Sequence, residues 1–455
     1  MSLHQIIKAQ RDFFYTHQTK DVSFRLKQLE TLKKIIIENE SDIVSCLKKD
    51  LNKSEHEAYL TEIASLLSEL NYTIKHLKKW VKPRKVRTPV THFGGKSRII
   101  PEPYGVVLII APWNYPFHLA VAPIIGAIAA GNCVVLKPSE FTPSTSRLLA
   151  RLLQKEFDEE YITVIEGDAT TSQQLLQEKF DYIFFTGSTH VGKIIMEAAA
   201  KHLTPVTLEL GGKSPCIVAK DTDVELAAKR IVWGKFVNAG QTCVAPDYVL
   251  VHRDVAPDLV EKFKHYIDKL YGPEPMDNDE YTHIVNEKHF DRLTALLNDG
   301  KVAYGGRHNR EKLVIEPTIL TNISWSDSIM QDEIFGPLLP VIVFDSLDEV
   351  INKVQARPKP LALYIFSEDS TLQNRILHEL SFGGGCINDT IYHLATPHLP
   401  FGGVGESGTG AYHGKGSFDI FSHEKSIFSQ TTRFDIPFRY PTGKDSLKWI
   451  KKGLK

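Results

Sequence analysis

Between residues 105 and 210, short apolar runs alternate with helical patterns, and this alternation constrains the fold more than any other feature of the chain. The runs fall at 105–110 (Gly-Val-Val-Leu-Ile-Ile), 133–136, 162–165, 181–185 and 206–210. By composition they are buried strands. Helices are expected between them over 116–130, after Thr142-Pro143 through Leu148, Leu149, Leu152 and Leu153, and over 191–202. Strands that alternate with helices pair in parallel, because each crossover helix must lie on a face of the sheet. Such sheets bind ligands beyond the carboxyl ends of their strands. A second α/β pattern runs over 211–395, with strands at 215–218, 248–251, 339–344 and 361–366 and a helix over 223–237 that Asp223 caps.

The flanking segments differ in texture. Residues 3–80 read as helices. Ser54-Glu55-His56-Glu57 fits a capping box, in which the serine hydroxyl and the glutamate carboxylate each satisfy a free amide at a helix start. Leu60, Ile63, Leu67, Leu70, Ile74 and Leu77 follow at helical spacing. Residues 82–103 hold prolines, glycines and six basic residues, and read as a linker or an extended hairpin arm. No aromatic stacking pattern accompanies that charge, so a solvated arm is favoured over a nucleic-acid contact. Net charge is −1 over 455 residues, which gives no global attraction to nucleic acid or anionic lipid. The longest apolar run, about 119–131, is shorter than the roughly 20 residues a membrane span needs, and reads as a buried helix. The first residues have neither a basic n-region nor a long apolar core, so no signal peptide is expected.

Five cysteines without a C-x-x-C pair argue against a disulfide framework or a zinc site and fit a reducing cytoplasm. Cys133 and Cys216 lie in apolar runs, Cys46 in a helical stretch, and Cys386 follows three glycines. Cys243 is different. It ends the small polar stretch Asn238-Ala239-Gly240-Gln241-Thr242, where a helical pattern stops. A thiol acts as a nucleophile when it is accessible and its thiolate is stabilised. Glu209, 34 residues earlier, closes a strand just before Gly211-Gly212. It reads as a base that activates water against a thioester, or as a strand-end ion-pair partner. Attack on a carbonyl also creates an oxyanion that needs donors. Asn114, directly after the strand at 105–110, and the Cys243 amide can supply them; an Asn in a turn can equally be structural.

The G-x-G-x-x-G spacing at Gly403, Gly405 and Gly408 follows no strand and opens no helix, so it is rejected as a phosphate loop. Phe184-Phe185-Thr186-Gly187-Ser188-Thr189 leaves a strand and opens a helix. Gly187 permits the tight turn, Ser188 can cap the helix or bond phosphate, and Gly192 lets the helix approach the sheet. Spacing alone leaves an ordinary βα turn equally open. Lys137 and Glu140 can grip ribose hydroxyls or form a solvated pair. Glu333 and Phe335 can hold a ribose and flank a flat ring, or form a turn before a strand.

Taken together, Ala111-Pro112-Trp113-Asn114-Tyr115-Pro116, Lys137-Pro138-Ser139-Glu140, Phe185-Thr186-Gly187-Ser188-Thr189, Leu208-Glu209-Leu210-Gly211-Gly212-Lys213, Gly240-Gln241-Thr242-Cys243 and Glu333-Ile334-Phe335-Gly336-Pro337 resemble the aldehyde dehydrogenase superfamily over nearly the whole chain. Length and the residues Val244-Ala245-Pro246-Asp247-Tyr248 resemble its short class 3 branch, with bacterial fatty and aromatic aldehyde dehydrogenases the nearest in kind.

The resemblance implies an α/β fold with a Rossmann-variant nucleotide domain (1–81 and 104–210), an α/β catalytic domain (211–395), and a small oligomerisation arm with a C-terminal segment (82–103 and 396–455). It implies NAD(P)-dependent oxidation of aldehydes, medium- or long-chain aliphatic or aromatic, to carboxylic acids. Cys243 would pass through a thiohemiacetal and a thioester, Asn114 would hold the oxyanion, and Glu209 would activate water. Lys137 and Glu140 would hold the adenosine ribose, with Gly187, Ser188 and Gly192 at the pyrophosphate. Glu333 would take the nicotinamide ribose, with Phe335 and Trp113 nearby. Glu140 favours NAD over NADP without excluding the latter.

A homodimer in the cytoplasm, with no metal, is expected. Tyr115, Phe117, Trp233, Ile391 and Tyr392 are candidate substrate-pocket lining. Residues 444–455 carry a net +4, with Leu447, Ile450 and Leu454 on one helical face beside Trp449, and read as a surface-packed helix or a weak anchor to anionic lipid. The alternatives are a CoA-acylating dehydrogenase, against which Glu209 argues, a thiol esterase, which needs a histidine near Cys243, and a non-catalytic binding protein.

Overall fold

The apolar runs of the first half form five parallel strands, buried along nearly all their length, in a computed structural model that describes residues 2–436, 439–440 and 445–453. Across the sheet they lie in the order Val206–Leu210, Tyr182–Gly187, Val106–Ile110, Cys133–Lys137 and Ile162–Val164. The chain builds outward from Val106–Ile110 in one direction, then returns and builds in the other. The order therefore reverses between Val106–Ile110 and Tyr182–Gly187, and crevices at such points receive nucleotides. A sixth strand, Gly408–Thr409, adds antiparallel to Val206–Leu210, with Gly408 opposite Glu209. The glycine-rich stretch that matched the dinucleotide spacing thus leads into a strand and not into a helix N-terminus.

A second sheet has seven strands, in the order Lys301–Tyr304, Thr318–Thr321, Leu338–Phe344, Tyr248–His252, Pro215–Val218, Ala362–Phe366 and Gly384–Ile387. All pairs are parallel except the outermost, Lys301–Tyr304 with Thr318–Thr321. A third, antiparallel sheet joins Arg84–Val86, Gly95–Pro103 and Ser422–Gln430. The basic segment is therefore a hairpin arm, and the C-terminal part of the chain supplies its third strand.

Residues 396–430 do not behave as one piece. Gly408–Thr409 belongs to the first sheet, Lys415–Ile420 is a helix, and only Ser422–Gln430 joins the arm. Ser446–Gly453 is helical and Leu447 is exposed. The side chains of Trp449 and Ile450, and Leu454 altogether, lie outside the described residues, so the tail's apolar face is not described.

The run at 119–131 is the helix His118–Ala130, buried on every side from Ala120 onward. At Gly126 an added Cβ would lie 2.8 Å from the Ser417 side chain, so the small residue permits the helix Lys415–Ile420 to close over it. Among the described residues no helix is long and apolar enough to cross a membrane.

The N-terminal helices Leu3–Tyr15, Val22–Glu38 and Ser65–Trp80 pack on the first sheet and this buried helix, and Glu40–Leu51 packs on the helix Pro143–Glu156. Arg25 docks there, donating to the carbonyls of Thr19, Lys20 and Ala129.

The expected capping box at Ser54 forms only by half. Ser54 Oγ accepts from the Glu57 amide, but the Glu57 carboxylate does not return to the Ser54 backbone. Its Oε1 accepts instead from the Asn238 amide at 3.1 Å and the Thr282 hydroxyl at 3.0 Å. Tertiary partners outbid the local one because both lie in a buried cleft where an unmade bond is costly. The next turn, Tyr59–Ala64, widens to a π-helix, a local feature common near functional sites. It carries Glu62, whose carboxylate meets Lys53 at 2.5 Å with both side chains fully buried. Glu62 Oε2 also accepts from the amides of Phe117 and His118, capping the start of the buried helix. Lys53 donates to the Asn114 carbonyl and stands over the Tyr115 ring.

Removing one member of a buried, hydrogen-bonded ion pair leaves the other uncompensated. Lys53→Met is expected to lower unfolding free energy by about 3–5 kcal/mol, and adding Glu62→Gln to it is expected to restore part of that loss. Urea unfolding of the three proteins measures both; a Lys53→Met midpoint equal to wild type would contradict the assigned role.

Candidate active site

Cys243 sits at the end of a backbone turn that few residues adopt. The helix Val224–Phe236, capped by Asp223 and closed by the Val237 amide, gives way to Asn238 (φ 55°), Ala239 (φ 50°) and Gly240 (φ 72°). Left-handed conformation costs a non-glycine residue about 1–2 kcal/mol, so three in succession need external support. Hydrogen bonds supply it. Asn238 Nδ2 donates to the carbonyls of Asn114 (2.8 Å) and Gln241 (3.0 Å). Gln241 Nε2 donates to the carbonyls of Asn238 and His283, and its Oε1 accepts from the Val285 amide. The Tyr115 and Thr242 hydroxyls lie 2.6 Å apart, directly beside the cysteine.

Gly240 is required here sterically as well as conformationally. A Cβ on it would stand 2.3 Å from the Gly336 carbonyl oxygen. The cysteine turn is therefore seated against the loop Glu333–Pro337, in which Phe335 is itself left-handed (φ 51°). That loop is seated in turn against the strand end that carries Glu209. A Cβ on Gly211 would lie 2.0 Å from Glu333 Oε2, and the Gly212 amide donates to the Glu333 carboxylate. Lys213 anchors the far side, donating to Asp247 and to the carbonyls of Ile329 and Asp332. Three motifs spread over more than 120 residues of sequence meet as interlocked turns.

These turns enclose one side of a cavity of about 620 Å³. Asn114, Glu209, Cys243, Glu333 and Phe335 all line it, and so do Trp113, Gly187 and Ser188. Asn114 follows Val106–Ile110 and is almost fully buried. Its Nδ2 donates to the Gln241 carbonyl at 3.0 Å, which orients the amide and uses one of its two N–H groups. Trp113 stands edge-on to Phe335, with centroids 5.3 Å apart. Ser188 caps the helix Thr189–Ala200, and its Oγ accepts from the Val191 amide at 3.4 Å.

Other expected residues stand away from the cavity wall. Gly192 is buried under Leu210, where an added Cβ would lie 2.6 Å from the leucine side chain. Lys137 and Glu140 form a 2.6 Å ion pair at the carboxyl end of the neighbouring strand, and neither lines the cavity. Of the candidate pocket residues, Phe117 is a core side chain, Tyr115 faces Thr242, and Trp233 and Tyr392 pair at 5.5 Å with Tyr392 exposed. Leu119 lines the cavity instead. The supporting residues Lys53, Glu57 and Glu62 carried no catalytic signal in the sequence; the only mark was the serine–glutamate cap spacing.

The cavity fits a dinucleotide on two observations. It lies at the reversal of strand order, over the N-terminus of a 12-residue helix whose free amides favour phosphate. Among the described residues, Thr186 Oγ1 and both carboxylate oxygens of Glu209 are buried without a hydrogen-bond partner on the protein, and both side chains line this cavity. Polar atoms so placed are made for a ligand or solvent.

Electrostatics set the resting protonation. Burial pushes the Glu209 carboxyl well above the usual range. Burial first, and the Asp247 carboxylate second, push Glu333 up to about 8. Burial also raises the Cys243 thiol, with Glu333 and then Glu209 adding to it, while the amides of Cys243 and Val244 act the other way. All three groups therefore hold their protons more tightly than they would in water. The site can do acyl chemistry once a proton leaves the sulfur.

The family model "Aldehyde dehydrogenase family" matches residues 1–427. The 4,4'-diaponeurosporen-aldehyde dehydrogenase of Staphylococcus aureus is 51% identical over 445 residues, covering 97% of each chain. A mouse aldehyde dehydrogenase described as dimeric and NADP-preferring is 46% identical over 432 residues, covering 95% of each. The structure of a substrate-bound state of Staphylococcus aureus AldH superposes with a TM-score of 0.98 at 50% identity, over the full length of both chains. The chain belongs to the aldehyde dehydrogenase family. It is an NAD(P)-dependent oxidoreductase that converts aldehydes to acids through a cysteine thioester.

An ordinary thiol with a pKa of about 8.5 is roughly 3% thiolate at pH 7, and Cys243 lies below that fraction. Iodoacetamide is therefore expected to alkylate the cofactor-free enzyme at Cys243 more slowly than a free cysteine at pH 7. The rate should rise steadily with pH to 9 and beyond. Glu333→Gln, which removes a negative charge above pH 8, should raise the rate there several-fold. A rate already at its plateau by pH 7 would contradict the raised thiol.

Proposed function

We propose that Cys243 is the nucleophile, Glu209 the base of deacylation, and Asn114 with the Cys243 amide the oxyanion donors. The observation that carries this reading is the convergence of Cys243, Asn114 and Glu209 on one cavity wall. The Cys243 thiol releases its proton to solvent, the sulfur attacks the aldehyde carbon, and the second N–H of Asn114 meets the oxygen as charge develops there. A nicotinamide held in this cavity would supply the acceptor for the hydride that the thiohemiacetal carbon gives up. Glu209, whose two oxygens have no protein partner, takes a proton from water that adds to the resulting thioester. Its raised pKa makes it a strong acceptor once ionised, so deacylation speeds up as pH rises.

For the cofactor, Gly187 and Ser188 would approach the pyrophosphate at the helix start, with Gly192 allowing that helix to lie close to the sheet. Glu333 would hold the nicotinamide ribose, with Phe335 and Trp113 beside the ring. Lys137 and Glu140 would hold the adenosine ribose. The Glu140 carboxylate favours a 2′-hydroxyl over a 2′-phosphate, and its ion pair with Lys137 softens that preference. NAD is therefore the preferred cofactor, with NADP also accepted.

Medium- or long-chain aliphatic and aromatic aldehydes are the proposed substrates; the similarity to the 4,4'-diaponeurosporen-aldehyde dehydrogenase supports an aldehyde substrate. The enzyme is proposed to work in the cytoplasm as a homodimer whose hairpin arm, with exposed Val90 and Phe93, adds to a partner subunit. Peripheral contact of residues 444–455 with anionic lipid stays a secondary proposal, supported by their net +4.

Two variants test the roles. Cys243→Ala is expected to form no NADH from any aldehyde. Glu209→Gln is expected to give one rapid equivalent of NADH and then turn over at least about 100-fold more slowly than wild type. Adding CoA to wild type should leave free acid as the product. Full steady-state turnover by Glu209→Gln, or acyl-CoA as the main product, would remove Glu209 from deacylation.

A further inference from the structure

The helix that begins at Ser54 reaches the catalytic turns at two points. Glu57 Oε1 accepts from the Asn238 amide, the first left-handed residue before Cys243, and from the Thr282 hydroxyl. One turn later the π-helical segment presents Glu62 to Lys53, and Lys53 Nζ donates to the Asn114 carbonyl at 3.0 Å. Asn238 Nδ2 donates to that same carbonyl oxygen at 2.8 Å. Asn238 is thus the joint between the turn that carries Asn114 and the turn that carries Cys243. Its side chain holds the first and its backbone leads into the second. Glu57 is the acceptor for its main-chain N–H, at a peptide that the preceding helix does not satisfy.

A left-handed peptide without such an acceptor would leave a buried N–H unpaired, and the turn would relax toward a cheaper conformation. Because Asn238 donates to both Asn114 and Gln241, and Asn114 Nδ2 donates to Gln241, relaxation at Asn238 would alter the spacing between the sulfur and the Asn114 amide. We infer that Glu57 is a positioning residue: its carboxylate holds the Asn238 peptide in the left-handed form that sets Cys243 opposite the Asn114 amide. Glu57 does not line the cavity and touches no reacting atom. It acts through the Asn238 peptide, and its second bond, from the Thr282 hydroxyl, fixes the carboxylate. The inference rests on the proposed roles of Cys243 and Asn114.

The two are separated by experiment. In the full-length enzyme, Glu57→Gln retains an oxygen able to accept from both donors, whereas Glu57→Leu retains none. The pre-steady-state burst of NADH reports acylation, and fluorescence quenching by NAD reports cofactor binding. A 1 Å error in the placement of reacting groups can slow chemistry by about 100-fold. Glu57→Leu is therefore expected to slow the burst by tens-fold to about 100-fold while the Kd for NAD stays within about twofold. Glu57→Gln is expected to stay within about threefold of wild type. Should Glu57→Leu fail to fold, Glu57→Asp decides, since it withdraws the acceptor by one methylene and keeps the charge. A folded Glu57→Asp enzyme with a slowed burst supports the inference.

A wild-type burst in folded Glu57→Leu, or in folded Glu57→Asp, would overturn it. So would a Leu variant whose whole defect lies in NAD binding, or a Gln variant as slow as Leu. NADH formation by Cys243→Ala would instead overturn the reading of the site itself, whatever Glu57 does.

Discussion

The seating of one left-handed turn against a carbonyl oxygen governs the architecture of this site. Asn238, Ala239 and Gly240 could not stay left-handed in isolation, because two of them have side chains that disfavour it. They persist because the surroundings over-determine them. The Gly336 carbonyl occupies the space a Gly240 side chain would need, and the Glu333 carboxylate occupies the space a Gly211 side chain would need. Absent side chains let three turns from distant parts of the chain close to backbone contact. The two sheets supply the scaffold, but the reacting groups are placed by these glycine contacts and by the hydrogen bonds of Asn238 and Gln241.

Burial gives the site its chemical character. The same enclosure that brings Cys243, Glu209 and Glu333 together raises the proton affinity of all three. A thiolate held permanently in such a place would be exposed to oxidation and alkylation. A thiol that holds its proton more tightly than in water is a weaker nucleophile at rest. In the proposed mechanism the geometry serves each half of the reaction: Asn114 is oriented by Gln241 toward the oxyanion role, and Glu209 is free of protein partners for the water role.

Much of this was legible in the sequence, for physical reasons. The strands Val106–Ile110, Cys133–Lys137 and Val206–Leu210 stand out because strands buried on both faces are apolar without alternation. Cys243 and Asn114 stood out as candidates because each sits on a turn after a helix or strand, and Glu209 because it lies one residue from the end of a strand. Short strands such as Lys301–Tyr304, Thr318–Thr321 and Gly384–Ile387 were not, since they are polar or glycine-rich and owe their existence to neighbours. Glu57 was read as half of a local cap, because sequence spacing shows the near partner and not Asn238, 181 residues away. Lys53 and Glu62 gave no signal at all, since a buried ion pair leaves the same residue types as a solvated one.

Rapid chemical quench of the enzyme during turnover, followed by peptide-level mass spectrometry, bears most directly on the central claim of a single transiently acylated sulfur. Enzyme mixed with an aldehyde and NAD and quenched within the first turnover should carry the acyl mass on the peptide containing Cys243. Enzyme mixed with the aldehyde alone should carry none. An acyl group found on another residue, or on no residue while NADH accumulates, would contradict the account.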